Sequence, residues 1–115
     1  MESIQSGGIY KFINVKAGNC MDLSGGDGVS VIGFDYHDGD NQKWRLEQLG
    51  ATWTIQNVGN GKYLNISEEP CDNARVIATD FPREWFIQPD EEDPSVLRVW
   101  GKWEGRNQCW RLELA

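Results

Sequence analysis

The chain has 115 residues and a formal net charge of −7. That is room for one domain with a modest core. The charge excludes the basic face that phosphate-backbone or anionic-membrane binding requires. No apolar run approaches the roughly 20 residues that span a bilayer. The opening Met1-Glu2-Ser3-Ile4-Gln5-Ser6-Gly7-Gly8 lacks the basic region and apolar core of a signal peptide, so a cytoplasmic location is expected. Thirteen glycines punctuate short apolar runs, and six Trp, three Tyr and four Phe lie among them. This pattern favours an all-β domain.

In chain order, Tyr10 to Ser24 reads as a strand, a Gly/Asn turn and a second strand. On the second strand Met21 and Leu23 share one face and Asp22 points to the other. A third strand runs from Val29 to Phe34. The loop after it holds Asp35, Tyr36, His37 and Asp38-Gly39-Asp40, which reads as turn chemistry. The fourth strand follows from Asn41-Gln42-Lys43-Trp44-Arg45-Leu46-Glu47. Trp44 and Leu46 face the core, and Lys43, Arg45 and Glu47 face water.

The next stretch repeats the first. Trp53 to Ser67 overlays Tyr10 to Ser24 at an offset of 43 without a gap. Tyr10 meets Trp53, Phe12 meets Ile55, Asn14-Val15 meets Asn57-Val58, and Asp22 meets Asn65. Trp53 is expected in a hairpin layer. A third strand at Arg75 to Thr79 and a fourth carrying Trp85 complete this copy. Arg83-Glu84 stands where Asn-Gln would precede the tryptophan, and Pro82 ends strand pairing there.

A third copy closes the chain with Asn107-Gln108-Cys109-Trp110-Arg111-Leu112-Glu113, identical to 41–47 at six of seven positions. Recurrence this close marks internal repeats. Phe34 to Glu47 overlays Trp100 to Glu113 at an offset of 66, so the third and fourth strands are read as present and the first two as missing. Ser95 to Val99 reads as one strand where two are due. Asp90-Glu91-Glu92-Asp93-Pro94 is a solvated connector. The repeat bounds are about 8–49, 50–91 and 92–115, all in one domain spanning 1–115.

Three copies of about 40 residues built on Gln-x-Trp resemble the ricin B-chain-like lectins. The pairing of Met21-Asp22-Leu23-Ser24-Gly25-Gly26 with Asp40-Asn41-Gln42-Lys43-Trp44 is closest in look to small single-domain mushroom members. The resemblance implies a β-trefoil, and the truncated third repeat is this chain's departure from it. It also implies a sugar pocket made by an Asp of the second strand, an aromatic at the end of the third, and the Asn of Asn-Gln. Carried onto this chain, copy one supplies Asp22, Phe34, Asn41 and Gln42, with Tyr36 and His37 on the same loop as alternative stacking or hydroxyl-binding groups. The chemistry suits a sugar. A carboxylate and an amide bind adjacent hydroxyls, and a ring face packs on the apolar side of a pyranose. Ile32 stands where many members offer a polar group, and Phe34 replaces the more usual Trp. The plainer reading makes Asp22 a turn-stabilising residue.

Copy two has Asn65 without the Asn-Gln pair and is expected to hold no site. Copy three has Trp100, Trp103, Asn107 and Gln108 but no Asp. Trp100 and Trp103 are the tryptophans expected to be exposed. No metal site is expected, because an EF-hand loop counted from Asp35 reaches Leu46 at its twelfth position. His37 is the one histidine, which leaves zinc and a catalytic triad unsupported. No cofactor and no enzymatic activity are expected. Cys20, Cys71 and Cys109 are expected as reduced thiols, with Cys109 exposed.

The leading function is a lectin for terminal, galactose-type sugars, with glycans or glycoproteins as partners and no nucleic acid or membrane insertion. The competing one is a protein-binding trefoil, such as an inhibitor of cysteine or aspartic proteases acting through surface loops. A missing barrel strand would leave an open edge beside Trp110, and a homodimer is expected to cover it.

Overall fold

The computed structural model describes residues 4–15, 18–66, 76–89, 97–101 and 108–114. Its strands are β1 (Ile9–Asn14), β2 (Cys20–Leu23), β3 (Val31–Phe34), β4 (Trp44–Leu49), β5 (Thr52–Asn57), β6 (Tyr63–Ile66), β7 (Val76–Thr79), β8 (Trp85–Pro89), β9 (Leu97–Gly101) and β10 (Gln108–Leu114). Six of them form a ring. β1 pairs with β4, β4 with β5, β5 with β8, β8 with β9, β9 with β10, and β10 returns to β1, all antiparallel. The hairpins β2–β3 and β6–β7 stand off this ring as caps. They touch each other through the Ser30–Ile77 bridge and the bond from Ala78 N–H to Val29 O. This is the all-β trefoil the repeats imply.

The repeat reappears in the pairing. Tyr10 faces Trp44 across β1 and β4, and Trp53 faces Trp85 across β5 and β8. Ile13 faces Cys20, and Gln56 faces Tyr63. In both repeats the tryptophan is buried and its indole N–H donates to a cap-strand carbonyl: Trp44 to Met21 O at 3.2 Å, Trp85 to Leu64 O at 3.0 Å. A large apolar body with one donor fills the core and ties barrel to cap in one residue. Phe12, Leu46 and Ile55 complete the barrel core, with Met21, Leu23 and Leu64 reaching in from the caps.

Three sequence expectations change. Trp53 belongs to barrel strand β5 and lies in the core, not in a hairpin layer. β3 begins at Val31 and not Val29, because the Asp27 carboxylate accepts the N–H groups of Val29 and Ser30 and holds them in a turn. The third repeat is the largest change. Trp100 lies on β9, which takes the position of a first strand beside β8, not of a third strand. β10 is paired on both sides, so the open edge expected beside Trp110 does not exist, and the strand-edge reason for a homodimer goes with it. From the first barrel strand to the fourth, repeat one runs from Asn14 to Trp44 and repeat two from Asn57 to Trp85. Repeat three runs only from Gly101 to Gln108. Leaving out a cap spares the ring, whereas leaving out a barrel strand would bare two ladders of backbone groups.

Candidate functional site

Asp22 sits on β2, where all four residues are buried, and is itself 4% exposed. A carboxylate so enclosed is costly unless hydrogen-bonded. The Asn-Gln pair supplies the bonds. Asn41 Nδ2 donates to Asp22 Oδ1 at 3.1 Å, and Gln42 Nε2 donates to Asp22 Oδ2 at 2.9 Å. Both amides lie on the 3₁₀ turn Asp40–Gln42, which aims them together at β2. Gln42 is fully buried. Its Nε2 also donates to Asp35 O, and its Oε1 accepts the His37 N–H at 2.8 Å. The second donor of Asn41 goes to Leu23 O at 3.1 Å. The two side chains therefore lock cap, loop and β4 into one unit.

Around this floor stands a less polar rim. Ile32 is the cross-strand partner of Asp22 and is exposed. Cross-strand partners share a face of the sheet at about 5 Å. Phe34, two residues on, is 53% exposed and meets the His37 ring edge-on at 6.1 Å. His37 Nε2 lies 3.8 Å from Asp22 Oδ2, beyond hydrogen-bond length. Gly39 fits between His37 and Asn41. A Cβ there would come within 2.5 Å of both Asn41 Oδ1 and His37 Cε1.

Tyr36 does not join this group in its contacts. Its hydroxyl donates to Asp38 Oδ1 at 2.8 Å, and Lys11 Nζ lies 4.3 Å from its ring centroid. Burial first, and the bond to Asp38 second, push the hydroxyl up to about 12. Asp38 holds a left-handed φ of 63°. The Tyr36 hydroxyl, and then Lys43, keep its carboxyl below the usual range. Lys43 reaches Asp38 at 3.3 Å and Asp40 at 3.7 Å. Tyr36 thus braces the loop that carries His37 and Gly39.

One residue outside the expected set holds the site from the neighbouring repeat. Asn57, 1% exposed at the end of β5, donates to Asn41 O at 3.0 Å and accepts the Gly59 N–H at 2.9 Å. Beside it, Val58 N–H donates to Lys43 O. The recurrence of Asn14-Val15 as Asn57-Val58 marked the residue in the sequence but not its contact with Asn41.

In repeat two, Asn65 turns its amide onto its own loop, to Thr79 Oγ1 at 3.0 Å and Phe81 O at 3.2 Å. The matching position offers no carboxylate. In repeat three, Trp103 and Asn107 and the side chains of Trp100, Gln108 and Cys109 lie outside the described residues, as does Cys71. Cys20 is a free, buried thiol, pushed up to about 11 by burial and then by the Asp22 charge.

Among solved structures, the chain is similar to the Macrolepiota procera ricin B-like lectin, determined in complex with lactose. The two are 34% identical, with a TM-score of 0.87 over 99% of this chain and 91% of that one. The Rhizoctonia solani agglutinin superposes with a TM-score of 0.75 over the full length of both chains at 21% identity. The designed threefold-symmetric protein ThreeFoil gives 0.79 over 90% of this chain and 96% of its own at 22% identity. These last two show the fold alone. No curated protein matches the chain. The family profile described as ricin-type beta-trefoil lectin domain-like matches residues 2–79, the stretch that contains both cap hairpins and the Asp22 group. With two repeats in register, the same indole bonds in each and that match over most of its length, the chain belongs to the ricin-type β-trefoil lectin domain-like family.

Proposed function

We propose that the protein is a lectin that binds terminal, galactose-type sugars at the first repeat and acts by binding alone. The observation that carries this reading is the Asp22 carboxylate, buried and held by Asn41 and Gln42, with the exposed Phe34 ring edge-on to His37 beside it. A carboxylate has about four acceptor positions, and two remain for adjacent hydroxyls. Phe34 offers an apolar face to the C–H side of a pyranose. The lactose complex of the Macrolepiota procera lectin supports a galactose-type ligand.

Calorimetry with lactose tests it on three proteins. Wild type should bind. Asp22→Ala should lose on the order of 10- to 150-fold in affinity, the equivalent of about 1.5–3 kcal/mol for a charge-assisted bond. Because Asp22 also anchors two amides, Phe34→Ala serves as the second variant. It removes the exposed ring and leaves the hydrogen-bonded floor intact, and it should weaken binding with an unchanged circular dichroism spectrum. Undiminished lactose binding in Asp22→Ala would sink the assignment.

A further inference from the structure

We infer that a cleft on the outer wall of the barrel, between β4, β5 and the turn after β5, is a second binding site and takes the carboxylate of a sugar acid. The cleft measures about 150 Å³ and is lined by Arg45, Gln56, Asn57, Val58 and Gly61. A cavity of about that size holds a benzene-sized molecule. Neither Asp22 nor its partners Asn41 and Gln42 line it. Arg45 reaches the cleft by strand alternation. Trp44 and Leu46 go into the core, and Arg45 between them points outward and is exposed. Gln56 is the cross-strand partner of Arg45 and so shares its face.

The backbone donors of this wall are spent. Asn57 N–H donates to Lys62 O, Val58 N–H to Lys43 O, and Gly61 N–H to Asn57 O. The side-chain donors are not. Gln56 Nε2 gives one hydrogen to Gly61 O at 2.9 Å, which fixes the amide with its nitrogen toward the turn and leaves its second hydrogen. The Arg45 guanidinium carries five N–H donors. Among the described residues it makes no hydrogen bond and no ion pair, not even with Glu47 on the same face. No carboxylate lines the cleft. One positive charge among unspent donors suits an acceptor with a single negative charge. A planar carboxylate meets a guanidinium through two parallel N–H···O bonds, and Gln56 can add a third. A doubly charged phosphate would have one cation to meet it, in the field of a chain of net charge −7. Val58 gives the lining an apolar surface for the ring that carries the carboxylate.

The probes are glucuronate, its methyl ester and acetate, titrated into ¹⁵N-labelled full-length protein at constant ionic strength. The readout is the NMR signals of the Val58 and Gly61 N–H groups, the Gln56 amide and the Arg45 Nε–H. Glucuronate should move them to saturation. The ester keeps the ring and loses the charge, and it should bind at least about tenfold more weakly. Acetate should saturate the same signals, at lower affinity than glucuronate. Arg45→Gln should abolish the saturable shifts and keep a native circular dichroism spectrum, since Arg45 is exposed. Arg45→Lys keeps the charge but not the paired donors, and it should weaken binding. An ester that binds as tightly as the acid, saturable shifts that survive in Arg45→Gln, or shifts that sodium chloride reproduces would overturn the inference. Acetate as tight as glucuronate would overturn the sugar-acid assignment. None of these readouts involves lactose, so the result stands whether or not the Asp22 group binds a sugar.

Discussion

Asn57 shows how far the Asp22 group depends on a residue of the neighbouring repeat. Its buried amide bridges Asn41 O and Gly59 N–H. Asn57→Ala removes both hydrogen bonds, at about 0.5–1.5 kcal/mol each. It also frees the turn that aims Asn41 at Asp22. Denaturant unfolding should record the first effect and lactose calorimetry the second. Loss of stability with unchanged affinity would confine Asn57 to the fold. Asp22, Asn41 and Gln42 were legible in the sequence because each sits in a short motif at a fixed distance from a tryptophan. The part Asn57 plays was not, since it depends on which repeat packs beside which, and spacing along one chain does not encode that. The contacts of Tyr36 with Lys11 and Asp38 were not legible either, because they too join residues whose spacing carries no motif.

At the level of the cap hairpin, the β2–β3 turn is organised by Asp27. The Ser30 hydroxyl first, and then the N–H groups of Val29 and Ser30, lower its carboxyl from 3.8 to about 2. A folded-state value below the unfolded one means the turn's contribution is whole above about pH 4. It fades as the pH falls through about 2, where the carboxylate is protonated. A ¹³C carboxyl titration should place the Asp27 midpoint near 2 in wild type and higher in Ser30→Ala. A wild-type midpoint near 4 would contradict the turn geometry. Strand existence was readable through the first two repeats, because period-two apolar patterns mark strands well. Strand rank was not. The overlay that set Trp100 on Phe34 rested on the match of 41–47 to 107–113 carried back without a gap, and equal spacing does not fix the rank of the strand it reaches. Only the pairing of β9 with β8 and β10 shows that it is a barrel strand.

For the whole molecule, the sealed ring predicts a monomer. With each barrel strand paired on both sides among the described residues, light scattering at micromolar concentration should give a mass near 13.1 kDa. A mass near twice that value, stable to dilution, would require an interface outside the barrel ladders. The sequence did show that repeat three is short. It did not show what was spared, because closure belongs to the ring and not to any repeat. The seal itself is the pairing of the first strand with the last, from Tyr10 against Leu114 to Asn14 against Trp110. During synthesis, β1 leaves the ribosome early and waits for nearly the whole chain before its partner appears. Until then β1 and β9 each present a bare edge to other nascent chains. A product that stops before Gln108 keeps both edges for good, and it should collect in the insoluble fraction while the full chain stays in solution. For this domain, the last seven residues of the barrel decide whether all the earlier ones are safe in a crowded cell.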